Sequence, residues 1–191
     1  MIRKFEARDL AAVMQIWLHG NLDAHAFIPA SFWTEHFEMV RDMLPQAELY
    51  VHENEDTLQI DGFIGLTENH IEGIFVAKSA RSKGIGKALL EYAKSRKPYL
   101  TLSVYQKNER ALAFYRREQF AVHLEGIDED TNEAVIQLAL FMWYAGKMPV
   151  SPRRDAIRIG SHLKLTISSF SVPGSPSLSR GTSIISANHF R

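Results

Sequence analysis

Strands and helices alternate along most of this chain, and that alternation predicts an α/β (α+β) fold. Three observations carry the expectation. Apolar residues recur at a spacing of two in short runs and at a spacing of three to four in longer ones, and no segment repeats another. A basic, glycine-punctuated turn, Arg81-Ser82-Lys83-Gly84-Ile85-Gly86-Lys87, joins a strand to a helix. Farther along, a second strand passes into a second helix through Asn108.

The elements follow in order. Residues 2–6 read as a first strand, and Asp9 is expected to cap a helix that buries Leu10, Val13, Met14 and Trp17 on one face and ends at Gly20. A second helix is expected from Ser31, with Trp33, Phe37, Val40 and Leu44 at helical spacing, until Pro45 stops it. Its aromatic residues are read as core. Residues 49–53 and 58–66 form a hairpin across Asn54-Glu55-Asp56-Thr57, followed by a strand over 71–76. Ile85, Leu89 and Ala93 place a buried stripe on the helix after the glycine turn, and Pro98 limits it. Residues 100–104 alternate as a strand, a helix spans 109–118, and strands over 120–126 and 134–141 complete the order βααβββαβαββ.

Composition bounds the class. A chain of 191 residues, 46% hydrophobic and 23% charged, can bury one good core, so one catalytic domain is expected. Charges in Met1-Ile2-Arg3-Lys4-Phe5-Glu6 stand where a secretory signal needs its apolar segment, and the longest apolar run, residues 138–145, is too short to span a bilayer. A cytoplasmic protein with no membrane partner is expected. Without cysteine there is no disulfide framework, no thiolate metal site and no covalent cysteine intermediate. No metal-ligand constellation is evident.

The net charge of zero divides unevenly. Residues 1–146 hold 15 Lys+Arg against 21 Asp+Glu, whereas residues 147–191 hold 7 against one, with ten of the fifteen serines and four prolines. A domain at 1–145 is therefore expected, with 146–191 a Ser/Pro-rich basic tail outside it, disordered or loosely attached, although residues 157–167 could form a short strand. A role for the tail in docking on nucleic acid is the minor alternative.

The glycine turn carries the chemistry. A helix start leaves backbone N–H groups unpaired and partly positive, which suits an anion, and Gly84 and Gly86 lack the Cβ that would keep a phosphate away. Arg81, Lys83 and Lys87 add charge beside them. A Walker loop would need glycine at Arg81 and Ser or Thr at Ala88; a dinucleotide fingerprint would need a small residue at Leu89. The string does match R/Q-x-x-G-x-G/A, and with residues 104–120, where Asn108, Phe114-Tyr115 and Phe120 recur, it resembles the GNAT N-acetyltransferase family over residues 1–145. One departure is Gln119, where the family commonly has glycine before the last aromatic.

The resemblance implies the GNAT fold, a mixed, twisted sheet flanked by helices, with the tail as a non-family extension. It implies acetyl-CoA as cosubstrate and a primary amine as acceptor, attacked directly in a ternary complex. The strands ending at Val76 and Val104 would splay, with pantetheine between them as a surrogate strand along Ile74 and Val76. The diphosphate would lie on Arg81, Ser82, Lys83, Gly84, Ile85, Gly86 and Lys87, and Asn108 would meet the pantetheine arm. An amide near Ile74 would hold the oxyanion. Tyr115 matches the tyrosine that protonates the leaving thiolate, and a phenol, with a pKa of about 10, keeps its proton at neutral pH; it could also be a half-buried packing residue. His70 stands where some members carry a base, with Glu72 as substitute, though a histidine at a strand start is often a surface residue. Asp23-Ala24-His25-Ala26-Phe27-Ile28 and residues 104–108 resemble the bacterial YiaC/YjaB-type subgroup, implying a protein lysine or small amine as acceptor. His25 and Phe27 would line its site; the alternative is that Phe27 and Ile28 anchor a loop to the core. A coenzyme A-binding sensor without turnover is the alternative function. Nucleic acid is not expected as a partner, and a monomer or homodimer is.

Overall fold

The computed structural model describes residues 1–141. The tail, the domain boundary at 145 and the candidate strand at 157–167 lie outside the described residues. Seven strands form one mixed sheet: β1 (Ile2–Lys4), β2 (Glu48–Glu53), β3 (Ile60–Thr67), β4 (His70–Val76), β5 (Tyr99–Tyr105), β6 (Ala121–Ile127) and β7 (Ala134–Phe141). Their spatial order is β1-β2-β3-β4-β5-β7-β6, and every neighbouring pair is antiparallel except β4 with β5.

Helices cover both faces, as the two periodicities require. On one face lie α1 (Leu10–Ala24), α2 (Ala30–Glu35) and α3 (Phe37–Met43), which bury Val13, Met14, Trp17, Trp33 and Val40 against Leu49, Val51 and Phe63. On the other lie α4 (Ile85–Lys94) and α5 (Glu109–Arg117), whose Leu89, Leu90, Ala93 and Leu112 meet Ile64, Leu66, Leu100 and Leu102. Each fully buried Leu contributes about 2 kcal/mol by leaving water.

Three local expectations are corrected. Helix α1 does not stop at Gly20 but continues to Ala24. Gly20 serves close packing instead: a Cβ there would stand 2.8 Å from Cδ1 of Phe75 on β4. Asp9 does not cap α1 with its side chain. Its carboxylate, only 4% exposed, accepts from Arg3 Nη1 and Nη2 at 2.7 and 2.9 Å and from the Glu6 amide at 2.8 Å, while Arg3 also reaches Glu53. The second helix is two, α2 and α3, parted at His36, whose Nδ1 donates to the Phe32 carbonyl at 2.6 Å; Pro45 then sits in a 3₁₀ turn, Leu44–Gln46.

The feature that positions the site is the parting of β4 from β5. Only His70↔Thr101 and Ile71↔Leu102 pair across them. Beyond that point β4 stays paired with β3 and β5 with β7, so each strand is held on its outer side and has no strand partner on its inner one. The parting coincides with an irregularity: Gly65 pairs with Gly73 and Leu66 with Ile71, so Glu72 is an extra residue, a β-bulge. A bulge bends its strand and increases local twist, which steers β4 away from β5 at this residue.

Candidate active site

The wedge between β4 and β5 opens into a cavity of about 1000 Å³, walled by both strands, the turn before α4, the start of α5 and the end of α1. On its β4 side the backbone is the functional group. The Ala77 amide donates to the Asp61 carbonyl at 2.8 Å, which continues the β3–β4 ladder by one step. Hydrogen-bonded pairs alternate along an antiparallel ladder, so Phe75 also bonds toward β3, whereas Ile74 and Val76 turn their N–H and C=O groups into the wedge. Arg81 confirms the direction: its Nε donates to the Val76 carbonyl at 3.2 Å.

The turn before α4 presents amides. Gly84, at φ 84°, begins the helix in the left-handed region that glycine tolerates, and a Cβ there would meet nothing within 4 Å. At Gly86 an added Cβ would touch Val76 Cγ2 at 3.8 Å and Phe114 Cζ at 3.9 Å, ordinary contacts, so packing does not itself require glycine there. Helix α4 has no side-chain cap, and the Ala88 amide bonding to the Gly84 carbonyl at 2.9 Å opens its ladder, leaving the preceding helical amides without intrahelical acceptors. Ser82 also holds a positive φ, 63°, a conformation uncommon outside glycine. Arg81, Ser82, Gly84, Ile85, Gly86 and Lys87 all border the cavity; Lys83 is exposed and outside its wall.

Across the wedge stands α5. Tyr115 is 7% exposed and borders the cavity, with its ring edge-on to Phe114 and Phe120 at 5.1 and 5.4 Å. Burial pushes its phenol well above the ordinary range, so the proton is held more firmly. No hydrogen-bond partner for its hydroxyl occurs among the described residues. Asn108 caps α5, its Oδ1 accepting from the Ala111 amide at 3.1 Å. Its remaining Nδ2 group faces Nε2 of His25 at 3.2 Å. Nδ1 of His25 in turn lies 3.2 Å from Oδ1 of Asn21, whose own Nδ2 donates to the Trp17 carbonyl at 3.0 Å. Because each amide is oriented by a backbone partner, His25 donates from Nδ1 to Asn21 and accepts at Nε2 from Asn108.

Asn108 and His25, chosen from the sequence for different roles, are therefore brought together. The His25 ring stacks on Trp33 at 5.4 Å and meets Tyr105 edge-on at 5.1 Å. Phe27 packs edge-on to His25 and Tyr105 but lies outside the cavity wall. His70 is not brought to the wedge. It sits where β4 and β5 are still paired, with Nδ1 2.9 Å from the Thr101 hydroxyl, while Glu72 at the bulge does border the cavity. Asn21 escaped the sequence reading, although it carried a usable signal, an amide one helical turn before His25; Asp23 stood in the string quoted from the sequence, with nothing there to show that it pairs with Arg81. Among the described residues no group of three or more His, Asp and Glu side chains is placed to hold a metal, and no helix is long and apolar enough to cross a membrane.

Known proteins resemble this chain. The family model for the acetyltransferase (GNAT) domain matches residues 45–122, which span the hairpin, the wedge and α5. The chain is 38% identical over 124 residues to the peptidyl-lysine N-acetyltransferase YiaC of Escherichia coli (strain K12), covering 64% of this chain and 84% of that one. It is 34% identical over 121 residues to peptidyl-lysine N-acetyltransferase YjaB of the same organism, covering 63% and 82%. The solution structure of apo-form YjaB from Escherichia coli superposes with a TM-score of 0.66 at 32% identity, over 73% of this chain and 95% of that one. The wedge, the amide-presenting turn and these relatives agree: the chain belongs to the GNAT family of acetyl-CoA-dependent N-acetyltransferases, and to its YiaC/YjaB-type branch.

Proposed function

We propose that this enzyme acetylates lysine side chains of proteins, with small primary amines as the second acceptor class, and that residues 1–145 are its catalytic unit. The observation that carries the reading is the meeting, in one cavity, of an unpaired β4 edge, a row of helix-start amides and a buried phenol. The two curated relatives above, both peptidyl-lysine N-acetyltransferases, support the acceptor class. A cytoplasmic setting belongs to the same reading.

In this reading the edge groups of Ile74 and Val76 bind the pantetheine amides as a neighbouring strand would. Residues 82–87 hold the diphosphate by main-chain amides, with Arg81 and Lys87 adding charge, and the open space beside Gly84 and the missing Cβ of Gly86 allow its approach. The acceptor nitrogen attacks the thioester carbon, and the Ile74 amide stabilises the oxyanion, a contribution of about 3 kcal/mol for one well-placed donor. Glu72, which borders the cavity, takes the proton lost by the amine, directly or through water, in place of His70. As the C–S bond breaks, Tyr115 gives its proton to the departing thiolate. Burial keeps the phenol protonated at neutral pH, so the proton is present, but it also makes the group a weaker acid, and the transfer relies on the negative charge that builds on sulfur as the bond breaks.

The test is release of free thiol from acetyl-CoA by the full chain in the presence of lysine peptides and small amines. Faster release with an acceptor than without supports the proposal; acceptor-independent or absent release refutes it. Deletion of residues 146–191 should leave that rate unchanged if the domain assignment holds.

A further inference from the structure

The last turn of α1 and the residue just after the helix grip both sides of the wedge. On the β4 side, the Asp23 carboxylate pairs with Arg81 Nη1 and lies 3.7 Å from Lys78 Nζ. On the β5 side, two residues later, His25 is bonded to Asn108 at the start of α5. Arg81 has a second commitment, its Nε donating to the Val76 carbonyl at 3.2 Å, so the guanidinium is held at two points. Its side chain is 22% exposed and that of Asp23 is 39% exposed, so solvent reaches the pair. The arginine of the proposed diphosphate turn is thus already occupied by an anion from another part of the chain, 58 positions away.

We propose that Asp23 is an internal competitor for the diphosphate, a residue that sets donor affinity and links donor binding to the placement of the end of α1. This rests on the donor site described above. A guanidinium has a limited fork of donors, and two anions that share it repel one another. A diphosphate on residues 82–87 draws Arg81 from Asp23 or binds beside a negative charge; either route weakens its binding. Release of Asp23 undoes one of the two grips on the stretch carrying His25, leaving the other at Asn108. The Arg81 pairing also holds the Asp23 carboxyl below the ordinary range, so at neutral pH the competitor is fully charged.

Calorimetry on the full chain with coenzyme A and with pantetheine, which lacks the diphosphate, separates the possibilities. The Asp23→Asn variant should bind coenzyme A roughly two- to fivefold more tightly than the natural protein, the scale of one solvent-accessible ion pair, with pantetheine affinity unchanged. Asp23→Glu should restore the natural ratio of the two affinities. The gain should shrink as salt is raised. Unchanged or weaker binding of coenzyme A by Asp23→Asn, or an equal change for both ligands, overturns the proposal. The ratio within one variant is insensitive to any loss of folded protein. If the natural protein itself gives no heat with coenzyme A, the donor site falls, and this proposal with it.

Discussion

Replacing Tyr115 by Phe removes one oxygen from a group whose ring is held independently of it. The aromatic contacts with Phe114 and Phe120 remain, and no described residue loses a hydrogen-bond partner, so the fold should tolerate the change within about 1 kcal/mol. If the hydroxyl protonates the thiolate, its loss should lower kcat about 10²- to 10⁴-fold, the contribution of a positioned general acid. The KM for acetyl-CoA should stay near its original value, because the pantetheine and diphosphate contacts lie on β4 and the α4 turn. The assay is initial-rate thiol release at saturating lysine peptide, repeated with a thioester whose thiol is more acidic. Such a leaving group needs less protonation, so the variant's deficit should narrow. The raised phenol also predicts that the natural enzyme keeps its donor above pH 10, without an alkaline fall assignable to Tyr115. A kcat within threefold of the natural enzyme, or an equal deficit with both thioesters, would refute the acid role.

Other substitutions test separate parts of the account. Glu72→Gln should lower kcat at neutral pH, with the loss shrinking toward alkaline pH as amines arrive deprotonated, whereas His70→Gln should leave the profile intact; a steady-state pH series decides. Gly84→Ala, at φ 84°, should cost about 1–2 kcal/mol of stability in a denaturant titration, from forcing a Cβ into the left-handed region. Asp9→Asn should destabilise by about 2 kcal/mol, since a buried charged hydrogen bond to Arg3 is lost while Glu53 still pairs with the arginine. Arg3 holds the Asp9 carboxyl below its unfolded value, so the natural protein keeps this contribution at neutral pH and loses it below about pH 4. The variant should show a shallower loss of thermal stability between pH 5 and 2.

What could be read in the sequence was what is encoded locally. Gly84 and Gly86 mark the α4 turn because a positive φ and an exposed helix start are properties of a few consecutive residues. Strand β5 announced itself by alternation, and Asn108 by its cap position. The Gln119 departure has a conformational consequence: where the family commonly has glycine, the residue adopts φ 71°. Long-range choices were hidden. The bulge at Glu72 is a property of the β3–β4 register, not of either strand, and it decides which of His70 and Glu72 reaches the wedge. The close packing that Gly20 serves inside α1 involves Phe75, more than fifty residues away, and the Asn108–His25 contact joins positions 83 apart. The parting of α2 from α3 turns on the His36 side chain finding the Phe32 carbonyl, which competes with the regular ladder.

Amide exchange measured residue by residue, with and without coenzyme A, probes the surrogate-strand claim at the atoms it concerns. Protection should rise at Ile74 and Val76 and at amides within residues 82–87, and stay flat at Phe75, whose amide is already bonded to β3. Coenzyme A binding that protects none of these amides, or protects only residues elsewhere, would contradict the placement of the donor between β4 and β5.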